Sequence, residues 1–180
     1  MATLSAPLSD ANADKGLFRG IRISSMRLSD SASARLAAQL DSLRLLLDET
    51  IAPGIRQRPA LDKWSAHENL AHLARHHEIF LGRLQRILTE DAPLLARYRA
   101  EDDPEWPQWP ARSPEEVLQR MRALRSRLIE FVQGLTAEQM ARTGVHPTFG
   151  EMSIPLWIEF FLLHEAHHLY AVMQRLREAP

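Results

Sequence analysis

Ile154-Pro-Leu-Trp-Ile-Glu-Phe-Phe-Leu-Leu-His164-Glu-Ala-His-His168-Leu-Tyr-Ala-Val-Met173 is the stretch on which the reading of this chain turns. Its apolar residues recur at helical spacing, so it is a long helix with an oily stripe that other elements must cover. With Phe161 as the origin, Ile154 and Val172 fall at about +20°, Trp157 at about −40°, His164 at about −60° and His168 at about −20°. Both imidazoles therefore lie inside the stripe, and His167, at about −120°, lies on its rim. Eight histidines in 180 residues give roughly 0.35 pairs at i,i+4 spacing by chance. Spacing alone is thus weak evidence, and placement on the apolar face is the stronger sign. A buried imidazole without a partner is costly. The pair reads as a metal or catalytic site in preference to two hydrogen-bonded core histidines.

Working back from this helix, three others supply the cover. The first spans about Asp30 to Thr50, with Leu36, Leu40, Leu43 and Leu47 at helical spacing, and ends before Pro53-Gly54. Another opens at the capping box Ser65-Ala-His-Glu68 and continues to about Thr89. A third starts at Ser113-Pro-Glu-Glu116, carries Val117, Met121, Leu124, Leu128 and Phe131 on one stripe, and stops at Gly134. A short helical turn follows Thr136, and the last long helix runs from beyond Ser153 to about Glu178. No β-hairpin signal competes with this helical reading.

Four amphipathic helices make an all-α four-helix bundle. About a dozen residues join the first two helices, whereas more than twenty, Asp91 to Arg112, join the second to the third. That is enough extended chain to travel the length of the bundle. The predicted order is therefore up-down-down-up, with a long crossover between helices two and three. The two tryptophans of the crossover, Trp106 and Trp109, are expected to plug one end of the bundle. Residues 1–28, rich in Ala, Ser and Asp, read as a flexible arm, and residues 29–180 as a single domain.

Composition narrows the chemistry. Charged residues make up 25% and the formal net charge is −1, so no strongly basic field invites nucleic acid or an anionic membrane. The start of the chain lacks a signal-peptide pattern, and the oiliest window is too short to span a bilayer, so a cytoplasmic location is expected. Cysteine is absent, which leaves His, Asp and Glu as the side chains for a metal site.

A catalytic cation needs at least three protein ligands, so the pair on the last helix requires another. Helix two offers His67, His72, His76 and His77. With Leu73 as origin, His77 lies at about +40°, His76 at about −60° and His72 at about −100°. The wheel favours His76 or His77 and leaves the third ligand open.

The stretch Trp64-Ser-x-x-Glu68-x-x-x-His72-Leu73, followed by His146-x-x-x-Gly150, Trp157 and His164-x-x-x-His168-Leu169, resembles the DinB/YfiT-like superfamily. The resemblance covers residues from about 30 to 178. It implies a four-helix bundle, commonly a homodimer, with a divalent metal, zinc or nickel, held by His72, His164 and His168. His76 and His77 are then surplus, as surface groups or supports behind the ligands. The resemblance further implies a thiol-dependent transferase or isomerase, using a low-molecular-weight thiol; a three-imidazole site with an open position equally allows water to be activated, as in a hydrolase of small molecules. The alternative is a noncatalytic, dimeric, stress-associated metal-binding bundle. Glu165 and Glu68, each within a turn of an expected ligand, are candidates to orient an imidazole or shuttle a proton.

Overall fold

A computed structural model describes residues 27–47 and 54–178. Its long helices are α3 (Ala66–Thr89), α5 (Pro114–Gln133) and α7 (Ile154–Glu178). They are joined by a first helix in two pieces, α1 (Asp30–Ala38) and α2 (Ser42–Leu47), by short α4 (Gln108–Ala111) and α6 (Ala137–Ala141), and by strands β1 (Thr143–His146) and β2 (Gly150–Ser153). Most of the expected arm and the expected end of the first helix at Thr50 lie outside the described residues.

The helix starts follow from their caps. The Ser65 hydroxyl accepts from the Glu68 amide at 3.1 Å, and the Glu68 carboxylate accepts from the Ser65 amide at 2.8 Å. This reciprocal box satisfies two donors that a helix start otherwise leaves bare. Ser113 caps α5 from one side, its hydroxyl accepting from the Glu116 amide, with Pro114 in the first turn.

The first helix is interrupted where continuity was expected. Ala38 leaves helical geometry (φ −121°, ψ −8°) and a 3-10 turn, Gln39–Asp41, follows. The Ser42 hydroxyl donates to the Gln39 carbonyl at 2.8 Å, and the Gln39 amide reaches across to the Leu162 carbonyl at 3.0 Å. These side-chain bonds compete with the regular ladder.

Contacts between helices fix their directions. Arg35 and Gln39 meet Glu159 and Leu162 in the same chain order, so the first helix and α7 run parallel. His67 lies against Pro110, just before α5, and His77 against Arg125 within it, so α3 and α5 are also parallel. Asn69 reaches His168 whereas Phe80 stacks on Phe161, so α3 and α7 are antiparallel. The order is up-down-down-up, as the long crossover predicts. Phe80, Trp157 and Phe161 fill the core, with Phe80 and Phe161 stacked at 4.4 Å.

The expectation of no β structure is overturned by an antiparallel hairpin, which pairs Thr143 with Ser153 and His146 with Gly150. Its strands are four residues each, too short to show an alternating pattern. The turn is closed by a side chain: the amides of Thr148 and Phe149 donate to His146 Nδ1 at 3.1 and 3.2 Å, and Gly150 takes a φ of +72°. On its other side β1 meets the crossover, with the Leu95 amide donating to the Val145 carbonyl at 2.9 Å. Gly144 makes this approach possible, because a Cβ there would lie 2.9 Å from Ile87 Cγ1 and 3.0 Å from Leu95 Cδ1. Gly144→Ala is expected to cost about 1–3 kcal/mol through overpacking, read as an earlier midpoint in urea with an unchanged slope.

Candidate metal centre

Three imidazoles meet where the N-terminal half of α3 faces the middle of α7. One ligand nitrogen each from His72, His164 and His168 lies within 4.8 Å of the other two. His72 Nε2 and His164 Nε2 are 3.2 Å apart. Two nitrogens bound to one zinc ion at 2.0–2.1 Å with a tetrahedral angle are separated by about 3.3 Å. The donor set therefore fits a divalent cation. The buried Nδ1 atoms of His72 and His164 have no protein partner among the described residues.

All three rings are held neutral, which is the form that donates to a cation. Burial pushes His72 down to about 4. Burial, then the neighbouring imidazoles, push His164 to about 3 and His168 to about 2. The tautomer of His168 is set by a relay from the helix cap. Asn69 Nδ2 donates to the Ser65 carbonyl at 2.8 Å, which turns Asn69 Oδ1 toward His168 Nδ1 at 2.8 Å. His168 Nδ1 thus carries the proton and Nε2 keeps its lone pair.

Aromatic rings wall the cluster. Trp64 lies 4.9 Å from His72 and 6.1 Å from His168, and Trp106 stacks on Trp64 at 5.3 Å. Tyr98 stacks on His72 at 5.5 Å. Trp106 and Tyr98 both come from the crossover, which Asp103 pins to α3. Its carboxylate accepts from Arg75 Nε at 2.7 Å, from Arg75 Nη2 at 3.0 Å and from the Tyr98 hydroxyl at 3.0 Å. The plug expected of the two tryptophans is corrected in half. Trp109 is buried under Arg112, whereas Trp106 covers the histidines.

The expected residues divide into those at the cluster and those away from it. His72 is buried although the wheel placed it off the stripe. The reason is that α3 packs against α5, α7 and α4, so several of its faces point inward. His76 and His77 are buried as well, not at the surface. His76 lies beside His164 with ring centres 4.1 Å apart. His77 sits in the core, donating from Nδ1 to the Leu73 carbonyl at 2.7 Å and accepting at Nε2 from Arg125 Nε at 3.2 Å. His167 is exposed at the pocket rim.

Neither candidate carboxylate lines the pocket. Glu68 serves the cap and pairs with Arg58; burial raises its carboxyl, and the bonds from Arg58 and Ser65 outweigh that and hold it low. Glu165 is fully buried and paired with the Arg125 guanidinium, and its other oxygen accepts from Gln39 Nε2 at 2.8 Å. Burial pushes Glu165 up, and Arg125 pulls against that rise. Arg125 also donates to the Leu36 carbonyl at 3.0 Å, so this polar node joins the first helix, α3, α5 and α7.

The cluster opens into a pocket of about 740 Å³, whose wall includes His76, Arg83, Arg97, Tyr98, His146 and Phe160. Sequence reasoning did not single out Asn69, Arg83, Tyr98 or Arg125. A polar Asn inside an apolar helix face is the one local sign that was available for them.

The chain is similar to several known proteins. A protein of Halalkalibacterium halodurans named "putative metal-dependent hydrolase" is 28% identical over 147 residues, 78% of this chain and 80% of its own. A protein of the same description from Oceanobacillus iheyensis is 32% identical over 108 residues, 59% of this chain; the match spans 61% of that relative's length. In fold, the chain is similar to YfiT from Bacillus subtilis, whose structure is described as an unusual four-helix bundle of a probable metal-dependent hydrolase. The TM-score is 0.67 at 20% identity, covering 82% of this chain and 84% of that one. Among the described residues no helix is long and apolar enough to cross a membrane. The DinB superfamily profile matches residues 33–172, and the chain belongs to that superfamily.

Proposed function

We propose that this protein is a metal-dependent hydrolase of small molecules, with zinc or nickel held by His72, His164 and His168. The observation that carries this reading is the convergence of three neutral imidazole nitrogens within 4.8 Å, at the wall of a pocket of about 740 Å³. When bound, such a cation supplies Lewis acidity, acidifying water and polarising a substrate carbonyl or phosphoryl oxygen. Three protein ligands leave room for that chemistry, whereas a closed structural site uses four. The residues of this chain do the rest. Asn69 holds the His168 ring, and Trp64, Trp106 and Tyr98 wall one side of the cluster.

Transfer of a low-molecular-weight thiol is a second reading of the same site. It is favoured by the pocket volume of about 740 Å³, which accommodates a cosubstrate beside a small electrophile. The thiol must come from outside, because the chain has no cysteine. Metal-loaded protein assayed against small esters, amides and phosphoesters, with and without thiols, decides between them. Turnover abolished by chelation supports an enzyme, and its dependence on thiol separates transferase from hydrolase. No turnover together with a large fall in Tm on chelation supports the noncatalytic metal-binding bundle instead.

Asn69→Ala is expected to weaken metal retention about 10–100-fold, measured by competition with a chromogenic chelator. An unchanged affinity would remove the orienting role of Asn69. We further propose that the chain pairs as a homodimer through α7, where Leu156, Leu163 and Tyr170 recur every seventh residue and are 41%, 64% and 57% exposed. Leu163→Glu is then expected to halve the mass seen in sedimentation equilibrium, and a wild type that is already monomeric sinks this point.

A further inference from the structure

Beyond the histidine cluster, the pocket contains a charge that nothing yet described uses. Arg83 is 9% exposed, lines the pocket and pairs with no carboxylate among the described residues. One of its nitrogens donates to the Ala96 carbonyl at 2.7 Å, and its guanidinium carbon lies 5.9 Å above the Trp157 ring. A buried cation without a counter-charge is costly to fold, so its retention beside a cavity asks for a ligand that neutralises it.

His146 packs on the same tryptophan, with ring centres 5.7 Å apart, and also lines the pocket. Because its Nδ1 accepts two backbone N–H groups, the neutral ring must carry its proton on Nε2. The hairpin turn thus fixes a donor, not an acceptor. Burial, then the nearby charges of Arg83 and Arg97, keep this ring neutral. Arg97 and Arg99 complete the basic side of the pocket, against Glu101 as its acidic lining residue. Arg99 is partly spent on Asp102, 3.5 Å away.

We propose that Arg83 and the Nε2–H of His146, with Arg97 at the rim, bind an oxyanion of the substrate, a carboxylate or a phosphate group. The assignment rests on the hydrolase reading for where the reaction takes place. Arg83 and His146 line the same pocket as His72, His164 and His168. The substrate class is therefore a small molecule that carries a carboxylate or phosphate group besides the group that reacts at the histidines. Guanidinium and imidazole donors favour an oxyanion over a neutral acceptor of the same shape.

The test follows the His146 side-chain nitrogens by long-range proton–nitrogen spectra of the full chain, metal-loaded and chelated in parallel. Inorganic phosphate and butyrate are the two probes. A saturable His146 shift is expected in both metal states, with the stronger response telling a phosphate site from a carboxylate site. In Arg83→Gln the apparent Kd is expected to rise about tenfold or more, the loss of one charge-assisted contact, while Arg83→Lys keeps most of the affinity. Arg97→Ala, at an exposed side chain, is expected to raise Kd severalfold without touching the fold, and serves if Arg83→Gln does not fold. No saturable shift up to about 50 mM, an equal Kd in all variants, or a response confined to metal-loaded protein each overturns the proposal. A chain that binds the anion but turns over no ester keeps this subsite and discards the hydrolase, so the two failures are distinct.

Discussion

On the proposed metal reading, His164→Ala is expected to leave dialysis without the divalent ion that the wild type retains under the same conditions. Structural sites of four ligands bind with about 10–16 kcal/mol, so each ligand contributes about 3 kcal/mol and its loss costs more than a hundredfold in affinity. The effect falls on function more than on folding, because His164 faces the pocket while its neighbours Leu162 and Glu165 hold α7 in place. Far-ultraviolet dichroism of the variant is therefore expected to match the wild type. His167→Ala is the matched control, since His167 is exposed at the rim. Elemental analysis of the two variants reads the outcome. Equal retention in both, or equal loss, would show that the three imidazoles do not act as a set.

Arg125→Met is expected to give a large loss of stability. It leaves Glu165 fully buried without its cation, a situation that costs about 3–5 kcal/mol. For a chain of this size each kcal/mol moves Tm by about 2–4 °C, so a fall of roughly 10 °C is expected. The double change Arg125→Met with Glu165→Leu is expected to recover most of that loss, because removing both charges also removes both desolvation costs. Urea denaturation of the two variants checks the sign and size. A single variant within about 1 kcal/mol of wild type would mean that water reaches Glu165.

How far the sequence reaches differs from element to element, for physical reasons. The capping box at Ser65, the cap at Ser113 and the apolar stripes are local signals, and the helices they predict are present. The up-down-down-up order follows from chain length in the crossover, a simple constraint of reach. The hairpin was hidden because its decisive bond comes from a histidine ring and not from turn residues. Two members of the cluster, His164 and His168, were legible on one helical wheel. His72 was not, since a wheel assumes one inward face and α3 packs against three helices. His72 came instead from family resemblance, and the coordinates bring it within 3.2 Å of His164. The pocket's basic wall was illegible, since Arg83, Arg97 and His146 reach it from three separate segments.

The node around Arg125 also bears on how the bundle finds its arrangement. Its partners are a carbonyl and an amide from the first helix, a ring from α3 and a carboxylate from α7. Sliding any one of these helices by a turn, about 5.4 Å, strands a charge in the interior. Leucine-rich stripes tolerate such slips, whereas one guanidinium wired to three neighbours does not. A compact form of this chain with one helix out of register therefore lies about 3–5 kcal/mol above the native one on this account alone.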